Sequence, residues 1–152
     1  MRFDVTHFEP ISKEELKIVE EKVNTAILDA LDINCEIMNI KDAKEKGAMA
    51  LFGEKYGNEV RVVSMGDYSV ELCGGTHLNN TSQVGLFKIL SEGGVAAGVR
   101  RIEAITGKAV YDYLTNKEVV INDICAALKT KEDNLVQRAH TLVEENKSLA
   151  KE

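Results

Sequence analysis

The apolar pattern changes period at Gly107, and that change constrains the fold more than any other feature. Upstream, short runs alternate apolar and polar residues, as half-buried strands do. Downstream, apolar residues recur at helical spacing and no further strand is needed. The pattern predicts an α+β domain over 1–106, with a largely antiparallel sheet and packed helices. A helical extension follows over 107–152, as a hairpin or a coiled-coil-like segment. The length of 152 residues suits one domain with such an appendage.

Arg2-Phe3-Asp4-Val5-Thr6-His7-Phe8 alternates as a strand and starts at once, which suggests a chain cut from something longer. His7 reads as a structural or rim histidine, since no partner stands at metal-motif spacing. Pro10 ends the run. Ser12-Lys13-Glu14-Glu15 is a capping box, and Leu16, Val19, Val23, Ile27 and Leu31 give a helix over roughly 13–31 one apolar stripe. Cys35 to Met38 reads as a short strand with Cys35 buried. Asn39 caps a second short helix, with Asp42 at its third position and Gly47 as its stop. Ala48 to Phe52 is too small and apolar for a surface loop, and Gly53 to Asn58 is turn-like. Val60–Met65 and Tyr68–Leu72 read as a hairpin about Gly66-Asp67. Asn79 to Gln83 is a polar loop, Val84 to Leu90 a strand, Ser91 to Gly98 a small flexible stretch, and Val99 to Thr106 another strand.

Beyond Gly107, a helix is expected over 108–128, and Thr130 reads as the cap of another. Leu128, Leu135, Leu142 and Leu149 recur every seven residues, with Ala139 and Asn146 at the second seam position. That is the spacing of a coiled-coil seam, and it makes self-association through the last helix an expectation. A helical hairpin packed on itself is the alternative.

Between the hairpin and the polar loop stands Cys73-Gly74-Gly75-Thr76-His77. One thiol and one imidazole four residues apart supply half of a tetrahedral zinc site. The two glycines are read as positions able to take φ > 0, bending the chain so that both side chains reach one point. They also leave backbone N–H groups open to a substrate. Spacing alone leaves other roles open: Cys73 as a small buried hydrophobe, or as a nucleophile with His77 as its base.

Composition narrows the class of partner. The net charge is −6 and tryptophan is absent, so neither a broad basic surface nor a base-stacking platform is present. Any RNA contact rests on a few cations meeting phosphates, with Lys88, Arg100 and Arg101 the candidates, or on a partner domain outside this chain. Alternation places the two arginines on opposite faces of one strand. A salt bridge to Glu103 or Glu71 is the competing role. Three cysteines at no framework spacing argue for reduced thiols and a cytoplasmic setting. No apolar stretch is long enough to span a membrane and the first residues lack a signal-peptide layout.

Three stretches together resemble the editing domain of alanyl-tRNA synthetases. They are Cys73 to His77, Gly85-Leu86-Phe87-Lys88-Ile89, and Gly98-Val99-Arg100-Arg101-Ile102-Glu103-Ala104. Arg2-Phe3-Asp4, Gly47 to Gly57 and Val60 to Asp67 look like the same family, and the likeness covers nearly all of 1–129. It implies the second-additional-domain fold of tRNA synthetases, with 1–106 as the C-terminal part of the editing domain and 107–152 as a helical linker. It implies hydrolysis of tRNA(Ala) mischarged with serine or glycine, at a zinc ion held by an HxxxH pair and a CxxxH pair. Cys73 and His77 match the second pair and carry the metal and catalytic roles. The first pair would lie upstream of Arg2. Gly74, Gly75, Thr76, Lys88, Arg100 and Arg101 are the implied substrate and tRNA contacts. The implied parent ligates alanine to tRNA with ATP and magnesium in a domain this chain lacks, which would leave the isolated fragment inactive. Two alternatives stay open: a non-catalytic tRNA-docking and linker or dimerisation module, and part of a free-standing editing protein.

Overall fold

A computed structural model describes residues 1–49 and 57–150. Most of the expected turn over Gly53 to Asn58, and most of the apolar run before it, lie outside the described residues. Two compact units are present, Met1–Lys108 and Ala109–Glu152.

The first unit holds two three-stranded antiparallel sheets, each with its own helix. In one, β1 (Arg2–Thr6), β5 (Phe87–Ala96) and β6 (Val99–Thr106) are ordered β1-β6-β5. In the other, β2 (Ile33–Asn39), β3 (Glu59–Met65) and β4 (Ser69–Leu72) are ordered β2-β3-β4. Every strand pair is antiparallel, and short turns join β3 to β4 and β5 to β6.

Helix α1 (Lys13–Leu28) starts at the capping box the sequence announces. The Ser12 hydroxyl accepts from the Glu15 N–H, and the Glu15 carboxylate accepts from the Ser12 N–H. The C-terminal part of its stripe turns inward: Ile27 is buried with Phe87 and Ala104, and Val23, Val84 and Ile89 pack around them, whereas Val19 is exposed and Leu31 lies past the helix end. Helix α2 (Ile40–Glu45) is capped by Asn39, whose side chain accepts from the Lys41 N–H, and ends at Gly47 with φ 82°. Ala43 is buried against Val60, Val62 and Leu72, the core of the second sheet.

Four local expectations are corrected. Cys35 is exposed rather than buried, because α2 covers the other face of β2 and its odd-numbered residues face away from that helix. Val84 belongs to a 3-10 turn (Thr81–Val84), and the strand begins at Phe87. The glycine-rich stretch after Ser91 is strand as far as Ala96, since β6 lies beside it and supplies ladder partners. Two register shifts, between Ile89 and Ser91 and between Gly94 and Ala96, absorb the irregularity as bulges. Thr130 caps no helix. Helix α3 (Lys108–Leu128) ends in a Schellman turn with Lys129 at φ 51°, where the Thr130 N–H reaches the Cys125 carbonyl. A 3-10 turn (Glu132–Asn134) then leads into helix α4 (Leu135–Leu149).

The second unit contains only helix and 3-10 turn among the described residues. Along α4, Leu135 and Leu142 are half-buried and Leu149 is 70% exposed, so the heptad stripe is covered at one end only. No helix is long and apolar enough to cross a membrane among the described residues.

Candidate metal centre

The Cys73–His77 loop leaves the end of β4, and the pleat decides which way its first residue points. Leu72 pairs with Val62, and both face the core under α2. Cys73 is next along the chain and points to the opposite face. It stays in the ladder by one bond, from its N–H to the Arg61 carbonyl at 3.1 Å.

Past the loop, Asn79 and Thr81 tie the chain down again. The Ile33 N–H donates to the Asn79 carbonyl, and the Thr81 N–H to the Leu31 carbonyl. The Thr81 side chain, 5% exposed, closes the C-terminus of α1: its hydroxyl accepts from the Leu31 N–H at 2.9 Å and donates to the Ala26 carbonyl at 2.7 Å. That relay stands where a direct bond between the same two backbone groups would close an ordinary Schellman turn. Asn80 reinforces it by donating to the Ala30 carbonyl and to the Asp32 carboxylate.

Within the loop, His77 Nε2 lies 3.3 Å from Cys73 Sγ. Ligands of one zinc ion sit about 2.0–2.3 Å from the metal, which places a sulfur and a nitrogen of one tetrahedron about 3.5 Å apart. Both residues are accessible, Cys73 partly and His77 more so. The bend that brings them together does not use a left-handed backbone, because neither Gly74 nor Gly75 has positive φ. A Cβ on Gly75 would stand 3.5 Å from Cys73 Sγ and 3.8 Å from His77 Nε2, beside the point the two atoms share. Nothing lies within 4 Å of a Cβ on Gly74. The N–H groups of Gly74, Gly75 and Thr76 donate to no other group among the described residues.

Among the described residues, no three of the His, Cys, Asp and Glu side chains are grouped to hold a metal. Donor chemistry and separation therefore fit two ligands of a zinc site, with the remaining positions open to groups from elsewhere.

Lys88, Arg100 and Arg101 lie on the other sheet, and each meets a carboxylate there. Lys88 Nζ is 2.7 Å from Glu20. Arg100 donates through two nitrogens to Glu92, and Arg101 through two to Asp4, its cross-strand neighbour. The two arginines take partners on opposite faces of β6, as alternation requires. Their partners are neither Glu103 nor Glu71, the residues that sequence reasoning set against them. Hydrogen bonding from Arg100 holds the Glu92 carboxyl below its ordinary range, and Arg101 does the same to Asp4.

Sequence reasoning missed Arg61. Its Nη1 donates to the Cys73 carbonyl at 2.8 Å and to the Gly75 carbonyl, and its Nη2 to Cys35 Sγ at 3.1 Å. The only signal was a lone arginine inside the apolar run Val60 to Val63, at a position whose side chain shares a face with Cys73.

Residues 60–103 match the family described as threonyl and alanyl tRNA synthetase second additional domain. Over all its residues the chain is 75% identical to an alanine–tRNA ligase of Clostridioides difficile (strain 630) and 53% identical to one of Alkaliphilus oremlandii (strain OhILAs). It is 50% identical to one of Pseudoalteromonas translucida (strain TAC 125). The helix-on-sheet fold and its Cys–His loop thus define a second additional domain of the tRNA-synthetase kind. Within that class, the chain is similar along its whole length to alanine–tRNA ligases. It spans 17% of the length of the first two relatives and 18% of the third.

Proposed function

We propose that this chain carries half of a zinc-dependent editing site, which in a full-length alanine–tRNA ligase removes serine or glycine from mischarged tRNA(Ala). The observation that carries this reading is the 3.3 Å approach of Cys73 Sγ and His77 Nε2 beside the bare face of Gly75. Cys73 and His77 hold the metal, and the two remaining protein ligands come from an HxxxH segment upstream of Arg2. Zinc bound there would polarise the ester carbonyl and lower the pKa of a bound water. The N–H groups of Gly74, Gly75 and Thr76, which donate to no other group among the described residues, would receive a carbonyl oxygen as it gains charge. The Thr76 side chain, exposed in the same loop, contacts the aminoacyl group. With His77 on the metal, no base is left beside Cys73, which disfavours the nucleophile role.

Lys88, Arg100 and Arg101 contact tRNA only by exchanging a carboxylate for a phosphate, so their share of binding is small and salt-sensitive. The parent enzyme ligates alanine with ATP and magnesium in its own aminoacylation domain and works in the cytoplasm. The isolated chain, with two ligands, is inactive. A docking and linker role for the fragment draws on the absence of a third metal-binding side chain among the described residues, and the half-covered leucine stripe of α4 would serve self-association.

The test is Cys73→Ala in a full-length ligase, with hydrolysis of Ser-tRNA(Ala) as the readout. Loss of deacylation with alanylation intact is expected. Retained deacylation removes Cys73 from the mechanism.

A further inference from the structure

We infer that Arg61 is the positioning residue of the Cys73–His77 pair, acting through the loop backbone rather than through substrate or metal. The inference rests on the reading of that pair as the functional site.

Arg61 sits on β3 and grips the loop from two directions. Its backbone carbonyl takes the Cys73 N–H, and its Nη1 takes the carbonyls of Cys73 and Gly75. Three backbone groups of two loop residues, Cys73 and Gly75, are thus referred to one residue of a strand whose neighbours, Val60 and Val62, are buried. The fork is itself held, since Nη2 donates to Cys35 Sγ on the neighbouring strand β2. No carboxylate pairs with Arg61 among the described residues, unlike Arg100 and Arg101.

A glycine pair without left-handed φ has no intrinsic preference for one bend. Something outside the loop must select the conformer in which the Gly75 bare face lies beside both Cys73 Sγ and His77 Nε2. Arg61 does so by tying the carbonyls on either side of Gly74 to one planar group. A lysine in its place would offer a single point charge and could not reproduce the fork.

The experiment is nuclear magnetic resonance on the 152-residue chain, comparing the natural sequence with Arg61→Gln, Arg61→Lys and a His77→Ala reference. In the natural chain, a nuclear Overhauser contact between the Cys73 β-protons and the His77 ring is expected. Both Arg61 variants should lose it while the β3–β4 contacts between Val62 and Leu72 and between Ser64 and Val70 remain. Amide exchange at Cys73, the loop N–H held by the Arg61 carbonyl, should rise at least about tenfold, local opening without global unfolding. A merely structural role would weaken the ladder contacts together with the loop. Persistence of the Cys73–His77 contact in folded Arg61→Gln, or its return in Arg61→Lys, overturns the assignment. Should Arg61→Gln fail to fold, the Arg61→Lys spectrum decides. The measurement uses neither metal nor tRNA, so a failure of the editing reading and a failure of this one show up in different experiments.

Discussion

At the scale of single residues, one buried hydroxyl carries more than its size suggests. Thr81 joins the end of α1 to the exit of the Cys–His loop by satisfying Ala26 and Leu31 at once. A buried backbone group left without a partner costs about 1–3 kcal/mol. Thr81→Val keeps the shape and removes both bonds, so it should lower stability by at least about 2 kcal/mol. Thr81→Ser keeps the hydroxyl and loses one methyl, for about 1 kcal/mol. Urea midpoints of the two variants check the order, and equal midpoints would remove the relay as a stabilising feature. Gly85 is a second such residue. It has φ 71°, and a Cβ there would meet the Gly107 Cα at 2.9 Å, a clash with backbone that nothing can relieve cheaply. Gly47 has φ 82° with open space around it. Replacing each by alanine should therefore cost roughly 1 kcal/mol at Gly47, from strain alone, and more at Gly85. Thermal unfolding of both variants measures the difference.

At the scale of elements, the first sheet is laced by ion pairs of two kinds. Glu92 and Arg100 have side chains only 7% and 16% exposed, whereas Asp4 and Arg101 are 44% and 36% exposed. Salt at about 1 M shortens the screening length to about 3 Å, which weakens the open pair first. Asp4→Asn should thus lose most of its effect on the urea midpoint in high salt, and Glu92→Gln should keep its effect. Both carboxyls titrate below their ordinary range in the folded chain. A depressed carboxyl contributes stability that is present above its unfolded pKa and lost as pH falls through its folded value. The midpoint should therefore stay level from neutral pH to about 5 and fall below about 4, with Glu92→Gln flattening that fall. A fall that begins at neutral pH would point to other groups.

At the scale of the whole molecule, the chain should be purified with well under one equivalent of zinc. Two ligands leave a tetrahedron half open, and affinity rises steeply with ligand number. On the editing reading, joining an HxxxH segment ahead of Arg2 should raise zinc to one equivalent and give deacylation, as elemental analysis and Ser-tRNA(Ala) hydrolysis would report. One tight equivalent in the 152-residue chain would show that another group, such as His7, completes the site.

The sequence by itself determined whatever short-range chemistry decides. The Ser12–Glu15 box, the Asn39 cap, the Gly47 stop, the hairpin about Gly66 and the change of period at Gly107 all depend on residues within a few positions. Each is where the pattern puts it. The Cys73–His77 spacing was legible for the same reason, since two side chains four apart meet wherever a loop lets them. Only the tertiary structure decided that the strands divide between two sheets, because β1 finds β6 across about a hundred residues by register and not by pattern. That pairing also gives Arg101 its Asp4 and carries β5 on through the glycines. Cys35 stands exposed because α2 covers the other face of β2, and no local signal says which face a helix will cover. Arg61 reached the loop by the same route. Its role follows from a ladder that sets residue 61 opposite residue 73, and a cross-strand neighbour is invisible until the register is known.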